Sequence, residues 1–432
     1  MDTTVLAHGV GRVYESPLPL SLYLVGAAAT VAVSFLIRGL TRDRALPPPR
    51  RIVGPGGTRA IVAVLGAIAL VTLVLTIVSG IVINSEGLTF PALLFWVGLI
   101  VGGVTLVSVL GGIWPLIDPW ARIERFYRLE DAETPTIAPP IWLGPLMIYA
   151  LFWFELVSGA GFDTFWVVAV LIVYSLFVFS FRPRFGDRWD EVDPLSILFG
   201  FASRTAPLRV TADGIDYKGP VRDLAEERAM PLTLFLSVFV LLGSTTLDNV
   251  RETVGWSEMK VDTGLDALPN ILLDSIALGA FALPFAASFY AAMWVAHRWI
   301  GKEMSLTDLA RRFAWSLIPI GIAYVLSHNA PLLISSVPYL IQGLSDPFAR
   351  GWNLFGTAEL FQGFVASPSL VWFLEIALIV AGHIVAVLTG HRVAVDLARS
   401  RKDAVKSQYA LTLLMAAYTI TTLWLLSQPL VD

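Results

Sequence analysis

Three ionisable side chains sit inside strongly apolar sequence: Glu155 in "ALFWFELVSG", His328 in "YVLSHNAPLLISS" and Glu375 in "VWFLEIALIV". Water holds such groups at little cost. A hydrocarbon core holds them only when they are paired, buried in protein or used. One imidazole and two carboxylates offer nitrogen and oxygen donors suited to a divalent metal, a proton or an organic cation. Tyr324, four residues before His328, shares its helical face. Pro331 lacks an N–H, and its ring clashes with the carbonyl of Ser327, so a helix through "SHNAP" breaks and frees an acceptor. That acceptor cannot face lipid. The break is therefore expected to turn carbonyls, His328 and Asn329 toward a protein-lined cavity. A glutamate–histidine pair that merely locks helices together is the plainer alternative.

Depth sorts the remaining candidates. At about 1.5 Å per residue, His328 stands roughly 24 Å above Arg312, and Glu375 roughly 25 Å above Arg392. Glu155, counted from Ile141, comes out at roughly 21 Å. The three are thus expected at one level, in the outer third of a membrane. Asp248 and Asp274 fall near the outer rim as secondary candidates, with Asp163 close by. His383 stands only about 13 Å above Arg392. Two histidines at such different depths do not readily share one iron, which ranks haem b below a divalent metal. His297 and His391 lie at the ends of apolar runs and read as interfacial anchors, and His8 lies outside the first run.

The elements that must position these groups follow from composition. The 432 residues are 56% hydrophobic and 15% charged, with mean hydropathy +0.71. A soluble domain cannot hide that much apolar surface. Apolar runs fall near 18–37, 60–83, 90–114, 141–158, 163–181, 231–248, 270–296, 313–341, 369–390 and 409–427, about ten spans of bilayer length. The eighth holds Pro319, Pro331 and Pro338 and is expected to be broken. Arginine and lysine crowd the odd-numbered connections, from Arg38–Arg59 and Arg122–Arg128 to Arg182–Arg228, Arg298–Arg312 and Arg392–Lys406, and nearly avoid the even-numbered ones. By the positive-inside rule both termini lie outside a cell (inner) membrane. "MDTTVLAHGVG" lacks the apolar segment of a cleavable signal, so Met1 onward is expected to be retained.

The fold class is an all-α integral membrane protein with about ten transmembrane helices, organised as 1–181 (a first five-helix half), 182–229 (a cytoplasmic loop with a small hairpin) and 230–432 (a second five-helix half). "PLSLYL" (19–24) and "PLTLFL" (231–236) open the first and sixth runs. "DPWAR" (118–122) and "DPFAR" (346–350) follow the third and eighth. Odd-numbered halves would be inverted repeats, as in many secondary transporters. Each aspartate would cap a helical turn that starts on the next proline, and Gly102, Gly103, Gly111 and Gly112 would weaken the third span as Pro331 breaks the eighth. "LRVTADGIDYKG" reads as a hairpin around Asp-Gly, and "DPLSILFGFASRTAPL" as a helix lying in the interface. The absence of cysteine excludes disulfides, thiolate metal sites, iron–sulfur clusters and c-type haem attachment. No phosphate-binding loop, dinucleotide fingerprint or zinc-protease motif appears. The basic clusters follow topology, which points to the lipid bilayer, with room for other membrane subunits, and not to nucleic acid.

The segments "AHGVGR", "SPLPLSLYLVGAA", "SHNAPLLISS", "LSDPFARGWNLFGT" and "AGHIVAVLTGHRVAVD" together resemble bacterial membrane proteins labelled fenitrothion hydrolase-like, nearly end to end. That resemblance implies hydrolysis of organophosphate esters, with His328, His383 and His391 at the matching histidine-bearing segments. No recognised nucleophile motif accompanies them. Three readings of the residues stand side by side. One is small-solute or metal-ion transport or binding, and a second is a membrane-embedded metal-dependent hydrolase. The third is a haem-bearing or scaffolding subunit of a membrane complex.

Overall fold

The computed structural model describes residues 20–40, 46–83, 89–127, 136–300, 304–358 and 367–428. Helices dominate because the apolar runs can satisfy their own backbone groups only by coiling. Among the described residues seven are long and apolar enough to cross a membrane: Pro55–Val82, Phe90–Val109, Thr164–Thr205, Leu232–Arg251, Asn270–Ile300, Leu306–His328 and Pro368–Leu397. Shorter apolar helices include Leu143–Leu156 and Ala330–Ser345. In chain order we label α1 (Leu20–Leu40), α2 (Pro55–Val82), α3 (Phe90–Val109), α4 (Pro119–Phe126), α5 (Leu143–Leu156), α6 (Thr164–Phe185), α7 (Pro194–Thr205) and α8 (Leu232–Arg251). They are followed by α9 (Asn270–Ala280), α10 (Ala282–Ile300), α11 (Leu306–Phe313), α12 (Ile318–His328), α13 (Ala330–Ser345), α14 (Pro368–Leu397) and α15 (Tyr409–Leu426).

Burial separates core from rim. The apolar window of α11–α12 is 89% buried and that of α8 78%, whereas those of α2 and of α9–α10 are 17% buried. On α2 the exposed residues Val64, Ile68, Val71, Val74 and Val78 form a continuous apolar stripe. An aqueous protein does not leave such a face bare, so its solvent is lipid and the chain is a multi-pass helical membrane protein. The core helices α8 and α12, together with α14, carry the polar residues that lipid would not tolerate.

A small sheet ties one end of the bundle together. Its strands are β1 (Arg50–Val53), β2 (Leu110–Gly111), β3 (Leu208–Thr211) and β4 (Gly214–Tyr217), in the order β1-β4-β3-β2. The β3–β4 hairpin expected around Asp-Gly is present, with Thr211 opposite Gly214. The sheet also takes β1 from the first connection and β2 from the end of the third apolar run, so the first and fifth connections meet at one end. Helix α7 departs from expectation. Instead of lying in the interface it is buried against α3, α5 and α12, with Leu195, Ile197, Leu198, Phe199, Phe201 and Ala202 all enclosed. The boundary expected at residue 181 falls within α6, which continues to Phe185.

The third and eighth runs are both irregular. In α3 the irregularity is a π-helical stretch, Leu94–Val101, that ends where Gly102 begins. In the eighth the chain breaks at Asn329 (φ −88°, ψ 0°) and restarts with Pro331 in the first turn of α13. Asp118 caps α4 by accepting from the N–H groups of Trp120 and Ala121 at 2.9 and 3.3 Å. Asp346 differs: its carboxylate closes a loop, not a helix, by accepting from Arg350 N at 2.8 Å and Gly351 N at 2.7 Å.

Candidate functional site

Helix α12 ends on His328 because Asn329 satisfies the helix end itself. Both its backbone N–H and its side-chain amide donate to the Val325 carbonyl, at 3.2 and 3.0 Å. Asn329 thus works as a cap, where the sequence suggested a cavity-facing side chain. The Ser327 hydroxyl donates to the Tyr324 carbonyl at 3.1 Å. The break leaves the imidazole of His328 pointing across to α8, where its Nε2 meets Asp248 Oδ2 at 2.6 Å. The Asp248 side chain is 9% exposed and that of His328 24% exposed, so the pair lies within the bundle.

Neighbouring elements complete a charged cluster at the end opposite the sheet. Arg251 lies one turn from Asp248, with Nε 3.7 Å from its Oδ1, and its guanidinium also donates to the Leu156 carbonyl at the end of α5. That bond fixes the last turn of α5, which carries Glu155. The charges acting on His328 are those of Asp248, Glu252 and Glu155, and His328 in turn acts on Glu375 of α14. The Tyr324 ring lies nearly parallel to the imidazole, with centroids 6.3 Å apart and planes at 15°. Its phenol feels Asp248, Glu252 and Glu375, and its buried hydroxyl has no hydrogen-bond partner among the described residues. Four carboxyl groups, Glu155, Asp248, Glu252 and Glu375, and two basic groups, Arg251 and His328, make up the cluster.

The sequence ranks these residues differently. Asp248, a secondary candidate at the rim, is the direct partner of His328, while Glu155 and Glu375 act at longer range. Arg251 and Glu252 are the residues that sequence reasoning misses. Their signal is the i, i+3, i+4 spacing of Asp248, Arg251 and Glu252 on one helical face. Asp274 sits on α9, half-buried, with one oxygen unpartnered among the described residues. That helix is joined to α5 by Tyr149 Oη to the Ser275 carbonyl (2.9 Å) and by Trp153 Nε1 to Ser275 Oγ (2.8 Å). His383 is buried with Nδ1 2.8 Å from the Ile379 carbonyl, and its Nε2 has no hydrogen-bond partner among the described residues. His391 bonds Gln408 at 3.3 Å and His297 the Met304 carbonyl at 2.8 Å. Asp163 caps α6 through Phe165 N and Trp166 N, at 2.8 and 3.3 Å. His8 lies outside the described residues.

Two chemistries weighed on the sequence can be tested against this geometry. His328 Nε2 is held by a carboxylate, and His383 on α14 bonds the Ile379 carbonyl through Nδ1. Among the described residues no group of three or more histidine, aspartate or glutamate side chains converges as a metal-ligand set. A second charged group, at the sheet end, joins Arg182 to Asp118 at 2.8 Å and Glu124 at 3.5 Å. Beside it Tyr174 donates to Asp193 at 2.5 Å. Asp118 and Asp193 are also helix caps, which gives this group a structural role. No family model, curated protein or solved structure matches the chain.

Proposed function

We propose that the chain is a membrane carrier of a small cation, with the His328–Asp248 pair as its proton- or cation-binding site. The observation that carries this reading is the 2.6 Å pair inside the bundle, beside further carboxyl groups. Such intramembrane pairs mark ion and proton pathways because nothing else offsets the cost of burying them. Helix breaks beside the site, at Asn329 and through the π-helical stretch of α3, fit the discontinuous helices of secondary transporters. The two related "DP-aromatic-AR" segments support inverted halves. The charge pattern supports an orientation with the sheet end in the cytoplasm and both termini outside an inner membrane.

Two experiments test the reading. Reporter fusions near residues 50, 210 and 400 should all report cytoplasm, and a periplasmic signal from any of them would overturn the orientation. The full chain, reconstituted in proteoliposomes on a solid-supported membrane, should give a transient charge displacement on a pH jump. The variants Asp248→Asn and His328→Gln should abolish it. An equal transient in both variants, or none in the wild type, would remove the pair as the binding site.

A further inference from the structure

The motif "LSDPFARGWNLFGT" takes no part in the histidine site, yet it forms the wall of a cavity. Between the start of α3 and the end of α13 lies a space of ≈ 410 Å³, bounded by Phe90, Tyr339, Gln342, Asp346, Trp352 and Asn353 among others. That volume falls within the usual range of small-molecule sites, about 300–1,000 Å³. The helices that frame it are packed closely: a Cβ on Gly343 would run into the Phe90 ring.

The loop that lines this open hollow is held in one shape by its own bonds. Asp346 accepts from the N–H groups of Arg350 and Gly351. Ser345 shares a 2.6 Å hydroxyl bond with Thr357 and accepts from Phe355 N at 3.1 Å. Ala349 adopts φ 51°, among the described residues the only non-glycine on the left-handed side. A strained residue of this kind persists where surrounding bonds over-determine it, and such residues gather at binding sites. Trp352, 46% exposed, stands edge-on to Phe348 at 5.9 Å, and Tyr339 is 45% exposed.

The chemistry of the wall selects the occupant. Three aromatic rings and one carboxylate line the cavity, and among the described residues no lysine or arginine does. Two backbone N–H groups use only part of the acceptor capacity of Asp346, since an ionised carboxylate has about four lone-pair sites. A carboxylate beside aromatic faces attracts a cation whose surface is apolar.

We infer that this cavity binds a small organic ammonium ion, its charge set against Asp346 and its methyl or methylene groups against Tyr339 and Trp352. As the capture point for a transported cation it rests on the carrier reading above; as a binding site it stands alone. The test is binding to the detergent-solubilised full chain, with tetramethylammonium as the probe, read by saturation-transfer NMR of its methyl protons and by calorimetry. The wild type should bind saturably, and Trp352→Leu and Tyr339→Leu should each weaken binding by about tenfold. Asp346→Asn should weaken it at least as much. Because that variant also touches the loop bonds, the two aromatic variants, which leave those bonds intact, decide the matter. No binding by the wild type, equal binding by Trp352→Leu and Tyr339→Leu, or equal binding of neutral neopentyl alcohol would overturn the inference, as would glucose binding in place of the cation. Tetramethylammonium binding without any pH-jump transient would retain the site and remove only the carrier reading.

Discussion

If His328 and Asp248 form an ion pair inside the bundle, their energies must be coupled, and the coupling can be sized. The N–O distance of 2.6 Å corresponds to charge centres about 4 Å apart, worth about 4 kcal/mol at an effective dielectric constant near 20. Two features reduce what a double-mutant cycle would read. Glu155 and Glu252 also attract the imidazole, and Arg251 lies 3.7 Å from the same carboxylate. Each survivor therefore retains a substitute partner, and about half the attraction, roughly 2 kcal/mol, should appear as coupling. Asp248→Asn and His328→Gln should each destabilise by about 2–4 kcal/mol, at or below the cost of breaking a fully enclosed pair. The double variant should lose about 2 kcal/mol less than the sum of the two. Equilibrium unfolding of all four proteins in mixed detergent–SDS micelles, followed by circular dichroism, supplies the values. Additivity within about 0.5 kcal/mol would show that the two groups do not interact as charges, and the reasoning would fail.

Other consequences follow from contacts away from this pair. A Cβ at Gly382 would run into Ala323 Cβ and lie 2.6 Å from the Pro319 carbonyl, so Gly382→Ala must push α14 away from α12. A loss of about 1–3 kcal/mol in the same unfolding assay is expected, and unchanged stability would show that the two helices separate freely. Asp118→Ala removes two capping bonds and the 2.8 Å partner of Arg182; it should cost about 2–4 kcal/mol, whereas Asp118→Asn, which keeps a capping oxygen, should cost less. Equal losses would remove the capping account. Lys218, its side chain fully enclosed and 3.1 Å from Asp223, has its pKa lowered by burial from the ordinary 10.5. Between the lowered and the ordinary value the unfolded chain holds a proton that the folded one has released, so stability there rises with pH. Lys218→Met should flatten that rise in unfolding titrations taken below the ordinary lysine pKa, and a slope equal to the wild type would assign it to another group.

Composition by itself determines the solvent. Runs such as "AIVAVLGAIALVTLVLTIVSGIVI" can face only lipid or protein, so a multi-pass helical protein is legible in the residue order alone. The same local cost singles out Glu155, Tyr324, His328 and Glu375, since a polar residue in an apolar run is visible without knowing its neighbours. The Asp-Gly hairpin is legible for a similar reason: its turn and alternation lie within about ten residues. Partners are not. Asp248 and His328 are 80 residues apart, and which carboxylate meets the imidazole depends on the rotation of α8 against α12, which no single segment encodes. Helix α7 reads as interfacial from its length, yet the sides of α3, α5 and α12 are what bury it. Strands β1 and β2 are four and two residues long, too short to carry an alternation signal, and they exist because the β3–β4 hairpin offers them edges. Asp346 and Trp352 meet at one cavity only because the loop between them is folded back by its own hydrogen bonds. Burial cost is a property of one residue and its sequence neighbours; pairing is a property of two surfaces, and only the packed bundle decides it.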